Sequence, residues 1–420
     1  MRFNYKRIGQ YVHQVSNRNV QLAVTDLKGI SISKQFMPSV ANINGTDLSK
    51  YKVVAKYQFA YNPMHVGRDE VLPIGILESN EPVIVSPAYV VFAISDTEAL
   101  LPEYLMMWCR RSEFDRNAWF TTDSSVRGGF NWDDFCGMTL PIPTIDKQRE
   151  IVREYNTIVE RIKLNEQLNQ KLEEAAQALY KHWFVDFEFP ISKEYADSIG
   201  KPELEGKPYK ASGGGSDFDE NPNFGLPKGW RQGKLSEITE AIFSGGTPST
   251  GVEIYWGNEH YWLSSGETRE KIIIDSERMI TQKGVDNSST KLIRKGDSVM
   301  ATAGQGKTRG QTSMCRVDAY INQSMLCIRP RENKFEAFIF ITLSTRYHEL
   351  RNESDAQAIR GSLNKDNLSS LPIIIATKEV SSKFQELSGV FVDKMYRNRC
   401  MAKYLEKLRS VLLARMVVSN

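Results

Sequence analysis

The chain has 420 residues, a length that holds two or three domains with well-buried cores. Its composition, 41% hydrophobic and 25% charged, is that of a globular protein, and a formal net charge of +3 leaves any nucleic-acid affinity to local basic surfaces. Five scattered cysteines without C-x-x-C spacing and five dispersed histidines argue against a disulfide framework and against a metal site; with no apolar leader and no long apolar run, a cytoplasmic chain without a membrane span is expected.

Residues 1–145 read as a first mixed α/β domain. Val83-Ile84-Val85 and Tyr89-Val90-Val91-Phe92 are strand-like, and 102–117 has a helical pattern. Lys56 beside Tyr57, Arg68, and a loop carrying Ser125 and Arg127 are candidate DNA contacts. Residues 146–187 predict a long helix, about 147–185. Its apolar seam is Ile151, Tyr155, Ile158, Ile162, Asn165, Leu168, Leu172, Ala175, Leu179 and Trp183. Residues 188–228 are rich in Pro and Gly and are expected to form a linker without regular structure.

A second mixed α/β domain is expected over 229–376, with strand-like runs at 272–274 and 297–300 and a helical stretch at 334–350. Its candidate DNA contacts are Gly245, Thr247 and Ser249 in one loop, Gln305, Lys307 and Arg309 in another, and Arg360. Arg, Lys and Gln reach base edges or phosphates, and Gly lets backbone amides approach phosphate. Residues 377–420 predict a second long helix. Its seam is Phe384, Leu387 or Ser388, Phe391, Met395, Asn398, Met401, Leu405, Leu408, Leu412 and Met416.

The chain repeats itself. Arg127-Gly-Gly-Phe-Asn-Trp-Asp-Asp-Phe135 matches Arg360-Gly-Ser-Leu-Asn-Lys-Asp-Asn-Leu368, and each copy is followed by Leu-Pro-Ile and then a long helix. One constant offset superposes the two motifs and the two seams, placing Asn165 on Asn398, Leu172 on Leu405 and Leu179 on Leu412. An Asn in an apolar seam sets helix register by demanding a partner. The expected fold class is α+β: two mixed α/β domains separated by two long helices that pair as an antiparallel coiled coil about a pseudo-two-fold axis. A helix of about 35 residues is roughly 50 Å long, and major grooves on one face of DNA recur about every 34–36 Å. Two unlike readers on such a spacer would read an asymmetric target with an unread gap. Arg127 and Arg360 have a second reading, as structural ties between domain and helix.

Two motifs point elsewhere and fail on context. The run from Ala301 to Thr308 fits a loose phosphate-loop pattern, but Arg309-Gly-Gln-Thr-Ser313 directly after it is a poor helix start. Asn221-Pro222-Asn223-Phe224 approximates the N-P-P-F of adenine methyltransferases, yet it sits in the linker and no glycine-rich cofactor loop accompanies it.

Ala178-Leu-Tyr-Lys-His-Trp-Phe-Val-Asp-Phe187 and Leu140-Pro-Ile-Pro143 with Lys147-Gln-Arg-Glu-Ile151 resemble the specificity subunits of type I restriction–modification enzymes. So do Leu226-Pro-Lys-Gly-Trp230, Gly245-Gly-Thr-Pro-Ser249, Tyr255-Trp-Gly257 and Ile321-Asn-Gln323. The resemblance covers nearly the whole chain. At the start of the second helix Ala376-Thr-Lys-Glu379 departs from the family's usual Pro and Glu-Gln. The resemblance implies two target-recognition domains and no catalytic site. It implies double-stranded DNA as ligand and two modification subunits carrying S-adenosylmethionine for adenine methylation. A restriction/translocation subunit using ATP and Mg²⁺ completes the complex. Two other readings stand beside it, a coiled-coil scaffold whose end domains bind proteins, and a self-contained modifying enzyme.

Overall fold

The computed structural model describes residues 5–39, 45–64, 70–122, 129–215, 225–303, 308–356 and 363–416. Within them the repeated motif forms one local device twice. Asn131 caps the short helix Trp132–Gly137 by accepting from the Asp134 amide at 2.9 Å, and the Asp134 carboxylate accepts from the Asn131 amide. Asn364 caps Lys365–Ser369 by accepting from the Asn367 amide at 2.9 Å. The motif's apolar positions, Phe130 and Phe135, Leu363 and Leu368, turn inward and are buried. The Leu-Pro-Ile segments then become strands, Thr139–Pro141 and Pro372–Ile375. Each pairs antiparallel with a strand near the start of its own domain, Tyr5–Arg7 and Arg231–Lys234.

The chain divides into two units, residues 1–162 with 404–420, and residues 163–403. In the first, an antiparallel sheet orders Val12–Gln14, Val90–Ile94, Phe59–Tyr61 and Ile74–Ile76. Its inner face is aromatic: Phe59, Tyr61 and Phe92 are fully buried, Phe59 stacks on Phe92 at 4.8 Å, and the buried Phe135 of helix Trp132–Gly137 packs against Tyr61 and Phe92. The expected helical stretch is two helices, Pro102–Cys109 and Ser112–Thr121, broken where Arg111 turns extended. Asp115 of the second helix forms a buried ion pair with Lys34 at 2.7 Å and accepts from the Leu72 amide at 3.1 Å.

In the second unit a five-stranded sheet orders Thr239–Ser244, Met325–Pro330, Ser298–Ala301, Thr312–Cys315 and Ile272–Ile273. A four-stranded sheet orders Arg278–Ile280, Trp256–Leu263, Ala319–Ile321 and Lys291–Ile293. Glu336–Thr345 and Tyr347–Ala356 again split the expected helix. The segment after the first long helix is not the structureless linker its Pro and Gly content suggests. Lys193–Ser198 is helical, and Phe189, Ile191, Ala196 and Tyr209 are buried. Phe189 stacks on both Tyr209 (4.6 Å) and Trp230 (4.7 Å), so aromatic burial outweighs the turn-forming composition. The methyltransferase-like Asn221–Phe224 lies outside the described residues. The phosphate-loop-like run joins strand Ser298–Ala301 to strand Thr312–Cys315, so no helix comes after it.

The long helices are Ile145–Phe184 and Lys378–Arg415. Their buried and half-buried stripes keep a strict seven-residue step: Gln148, Tyr155, Ile162, Asn169, Ala176 and Trp183 on the first, Ser381, Ser388, Met395, Ala402, Arg409 and Met416 on the second. Every member of the second set lies 233 residues after its counterpart, the spacing of Arg127 and Arg360. In each unit the helices run antiparallel. Tyr155 shares a core with Leu413 and Met416, while Phe384 lies 5.0 Å from Phe184 and 5.6 Å from Trp183. The aromatic helix end is therefore core. Ile158, Ile162, Asn165 and Met395 are buried in the seam, and Leu172, Leu179, Phe391, Leu405 and Leu412 are half-buried. Ala175 and Met401 (46% exposed) depart from the expected seam, and so do Leu168 (42% exposed) and Leu408 (37% exposed). Asn169 and Arg409 occupy the heptad positions beside these leucines. Asn398 finds its partner one turn from Asn165: its amide donates to Asn169 Oδ1 at 2.9 Å, and Asn169 donates to the Met395 carbonyl at 3.2 Å.

Each domain is also tied to a long helix by a glutamine. Gln148 Oε1 accepts from the Leu101 amide at the start of Pro102–Cys109, and its Nε2 donates to the Ala99 and Pro143 carbonyls. Gln385 Oε1 accepts from the Ala337 amide at the start of Glu336–Thr345 at 2.9 Å. Both satisfy a helix N-terminus. The glutamine of the second helix sits one turn later than Ser381, the position 233 residues after Gln148.

Candidate nucleic-acid interface

In the second domain the loop after strand Thr239–Ser244 is built by close backbone packing. Gly245 and Gly246 donate to the Asn322 and Ile321 carbonyls at 3.2 and 3.1 Å. A Cβ on Gly245 would lie 1.9 Å from the Ile321 oxygen, and one on Gly246 would lie 2.0 Å from Ser289 Oγ, so only glycine fits. Two indoles brace the loop from below: Trp262 Nε1 donates to the Gly246 carbonyl and Trp256 Nε1 to the Ser249 carbonyl. Thr247 Oγ1 donates to Gln323 Oε1 at 2.6 Å, which anchors that exposed amide while its NH₂ remains a donor. Beside them the exposed guanidinium of Arg278 stacks over the Trp256 ring at 3.5 Å. A planar cation held flat on an indole is positioned for phosphate or guanine contact.

The structure thus gathers Gly245, Thr247 and Ser249, and adds Gln323, Trp256 and Arg278, which the sequence offered only as family motifs or not at all. Arg309 belongs elsewhere. It is 8% exposed, in a turn where Gly310, at φ +82°, donates to the Ala301 carbonyl at 2.8 Å, so its side chain is directed inward and not to a reading surface. Gln305, Lys307 and Arg360 lie outside the described residues.

In the first domain Lys56 stands on an exposed turn. Its ammonium is 2.8 Å from Asn80 Oδ1 and 5.1 Å from the centre of the Tyr57 ring. Tyr57 holds φ +62°, an uncommon conformation for a bulky residue, secured by its amide donating to the Leu77 carbonyl at 2.7 Å. Arg68, Ser125 and Arg127 lie outside the described residues. Among the described residues no group of three or more His, Cys, Asp or Glu is placed to hold a metal ion, and no helix is long and apolar enough to cross a membrane.

Comparison with known proteins gives these features a context. Residues 227–408 match the family model of the type I restriction modification DNA specificity domain. The type I restriction enzyme HindI specificity subunit of Haemophilus influenzae is 23% identical over 422 positions, covering 90% of this chain and 89% of that one. The MjaIX specificity subunit of Methanocaldococcus jannaschii is 22% identical over 312 positions, covering 70% of this chain and 64% of that one. The fold resembles the crystal structure of a type I restriction–modification system S subunit from M. genitalium, with a TM-score of 0.55, 10% identity, and coverage of 99% of this chain and 96% of that one.

Proposed function

We propose that the chain is a type I restriction–modification DNA-specificity subunit, as its similarity to that family supports, and that it reads a split, asymmetric target in double-stranded DNA, one half with each domain. The observation that carries the proposal is the duplicated frame. Two domains end in the same capped turn, two long helices keep the same buried phase at one 233-residue step, and the loops on the two frames differ. Like frames with unlike loops suit two unlike half-sites. In the second domain Thr247, Ser249 and Gln323 supply groove contacts and Arg278 a phosphate or guanine contact. In the first, Lys56 with Tyr57 takes the backbone-positioning role.

The chain itself does no chemistry in this scheme. Two modification subunits dock on the outer faces of the long helices, where Leu164, Leu168, Leu387 and Val390 leave apolar side chains exposed. They carry S-adenosylmethionine and methylate a flipped adenine. A restriction/translocation subunit supplies ATP- and Mg²⁺-dependent cleavage, and the assembly works in the cytoplasm. The test is binding of the chain, assembled with its modification subunits, to DNA at rising salt. Neutralised phosphates give a steep linear loss of log affinity against log salt. Salt-independent or absent DNA binding by an intact complex would refute the reading and favour a protein-binding scaffold.

A further inference from the structure

The second domain rests on its helices through charge as well as apolar contact. The segment 269–275 runs through strand Ile272–Ile273, whose Ile272 is buried in the core that includes both helices. Around that strand the segment sets charges opposite the helices. Lys271 Nζ lies 3.0 Å from Glu173 of the first helix, Glu270 lies 3.3 Å from Arg399 of the second, and Asp275 pairs with Lys403 of the second. Arg316 adds a fourth pair, 2.6 Å from Asp393. Arg399 and Lys403 stand one turn apart on one helix face. Between the pairs lies a polar cleft of about 350 Å³, lined by Asn165, Asn169, Asn398 and Arg399 among others.

The first domain has one exposed ion pair in this place, Arg149 of the first helix 2.8 Å from Glu98, and no cluster of four among the described residues. The positions 233 residues before Arg399 and Lys403 are Glu166 and Gln170, one of opposite sign and one neutral. Apart from that pair, the domain meets the helices through Gln148, through Arg111 donating to the Leu413 carbonyl, and through apolar contacts. The helix pair, otherwise a repeat, therefore carries a cluster of four ion pairs at one end and a single exposed pair at the other.

We propose that these four ion pairs are a charge-keyed seat that fixes the orientation of the second domain on its helices and thereby selects the gap length at which its half-site is read. The inference rests on the two-reader function. Partly exposed ion pairs add little to folding stability, so the seat acts on geometry: like charges there push the domain from its seat without unfolding it. A foreign domain grafted in this place keeps the native gap only if it brings acids opposite Arg399 and Lys403.

The experiment measures binding of the full complex to duplexes that carry its mapped target with the native gap, one base pair fewer, or one more. For R399E/K403E the preference for the native gap falls about tenfold, equivalent to about 1.4 kcal/mol, while base preferences within each half and the unfolding midpoint stay as in the wild type. Adding E270R/D275K to R399E/K403E restores the preference. A gap-selective wild type whose R399E/K403E variant is equally selective overturns the seat alone, as does failure of the reciprocal substitutions to restore selectivity. A wild-type complex indifferent to gap length overturns the two-reader function and the seat with it.

Discussion

Asn131 and Asn364 each accept a backbone hydrogen bond in the turn that ends a domain and leads into a long helix. Replacing either by Ala should lower stability by about 1 kcal/mol, read as a lower urea midpoint at unchanged slope. Lys34 carries a larger share. Its ammonium, held below its ordinary pKa by burial, faces Asp115, whose carboxyl burial pushes upward. Lys34→Met strands that carboxylate and should cost about 3–5 kcal/mol, and Lys34→Met with Asp115→Leu should recover most of it, because breaking a buried pair costs more than replacing it. The thiols give a third test. Burial pushes Cys109 up to about 12 and Cys315 and Cys327 well above the ordinary thiol range. At pH 8 all three are protonated and covered, so a thiol reagent should reach at most Cys136 and Cys400 in the native protein and all five cysteines after unfolding. At this scale the glycine loop was legible because Gly245-Gly-Thr-Pro-Ser249 is a contiguous motif. Arg278 was not, because its stacked pose depends on Trp256, 22 positions away in the sequence, and Arg309 misled because charge in a glycine-rich run does not reveal which way the side chain turns.

The long helices were legible as elements, since both observed spans begin within two residues of the expected starts. Their seam was legible except where apolar identity competed with period. Leu168 is apolar and Asn169 is not, yet the seven-residue step from Tyr155 and Ile162 selects Asn169, and the structure follows the step. Asn169 is tolerated there because Asn398 and the Met395 carbonyl satisfy its amide. Asn165 differs: its side chain is 2% exposed and its Nδ2 has no hydrogen-bond partner among the described residues. Asn165→Leu should therefore raise stability by about 1 kcal/mol or more, read as a higher unfolding midpoint, whereas Asn169→Leu, which strands Asn398, should not. The folded segment after the first helix escaped the sequence reading for the opposite reason: Pro and Gly counts outvoted the spaced aromatics Phe189, Tyr195 and Tyr209, which stack only once the chain has turned back.

For the whole molecule, the duplicated frame makes function modular. Exchanging residues 1–145 for another such domain should change one half of the target and leave the other. Inserting one heptad within 165–172 keeps the buried phase and lengthens the helix by about 10 Å, so the gap should lengthen while both halves stay the same. The fold class was legible because the repeat is written in the sequence at one offset. The bases read were not, because they depend on a few loop side chains whose poses are set by the two frames and by the DNA. The most direct test of the two-reader account is methylation mapping on DNA from cells expressing this chain with its modification subunit, against cells lacking the chain. The account predicts a split, asymmetric adenine-methylated motif that appears only with the chain. A continuous or palindromic motif, or no new methylation from a complex shown to assemble, would contradict it.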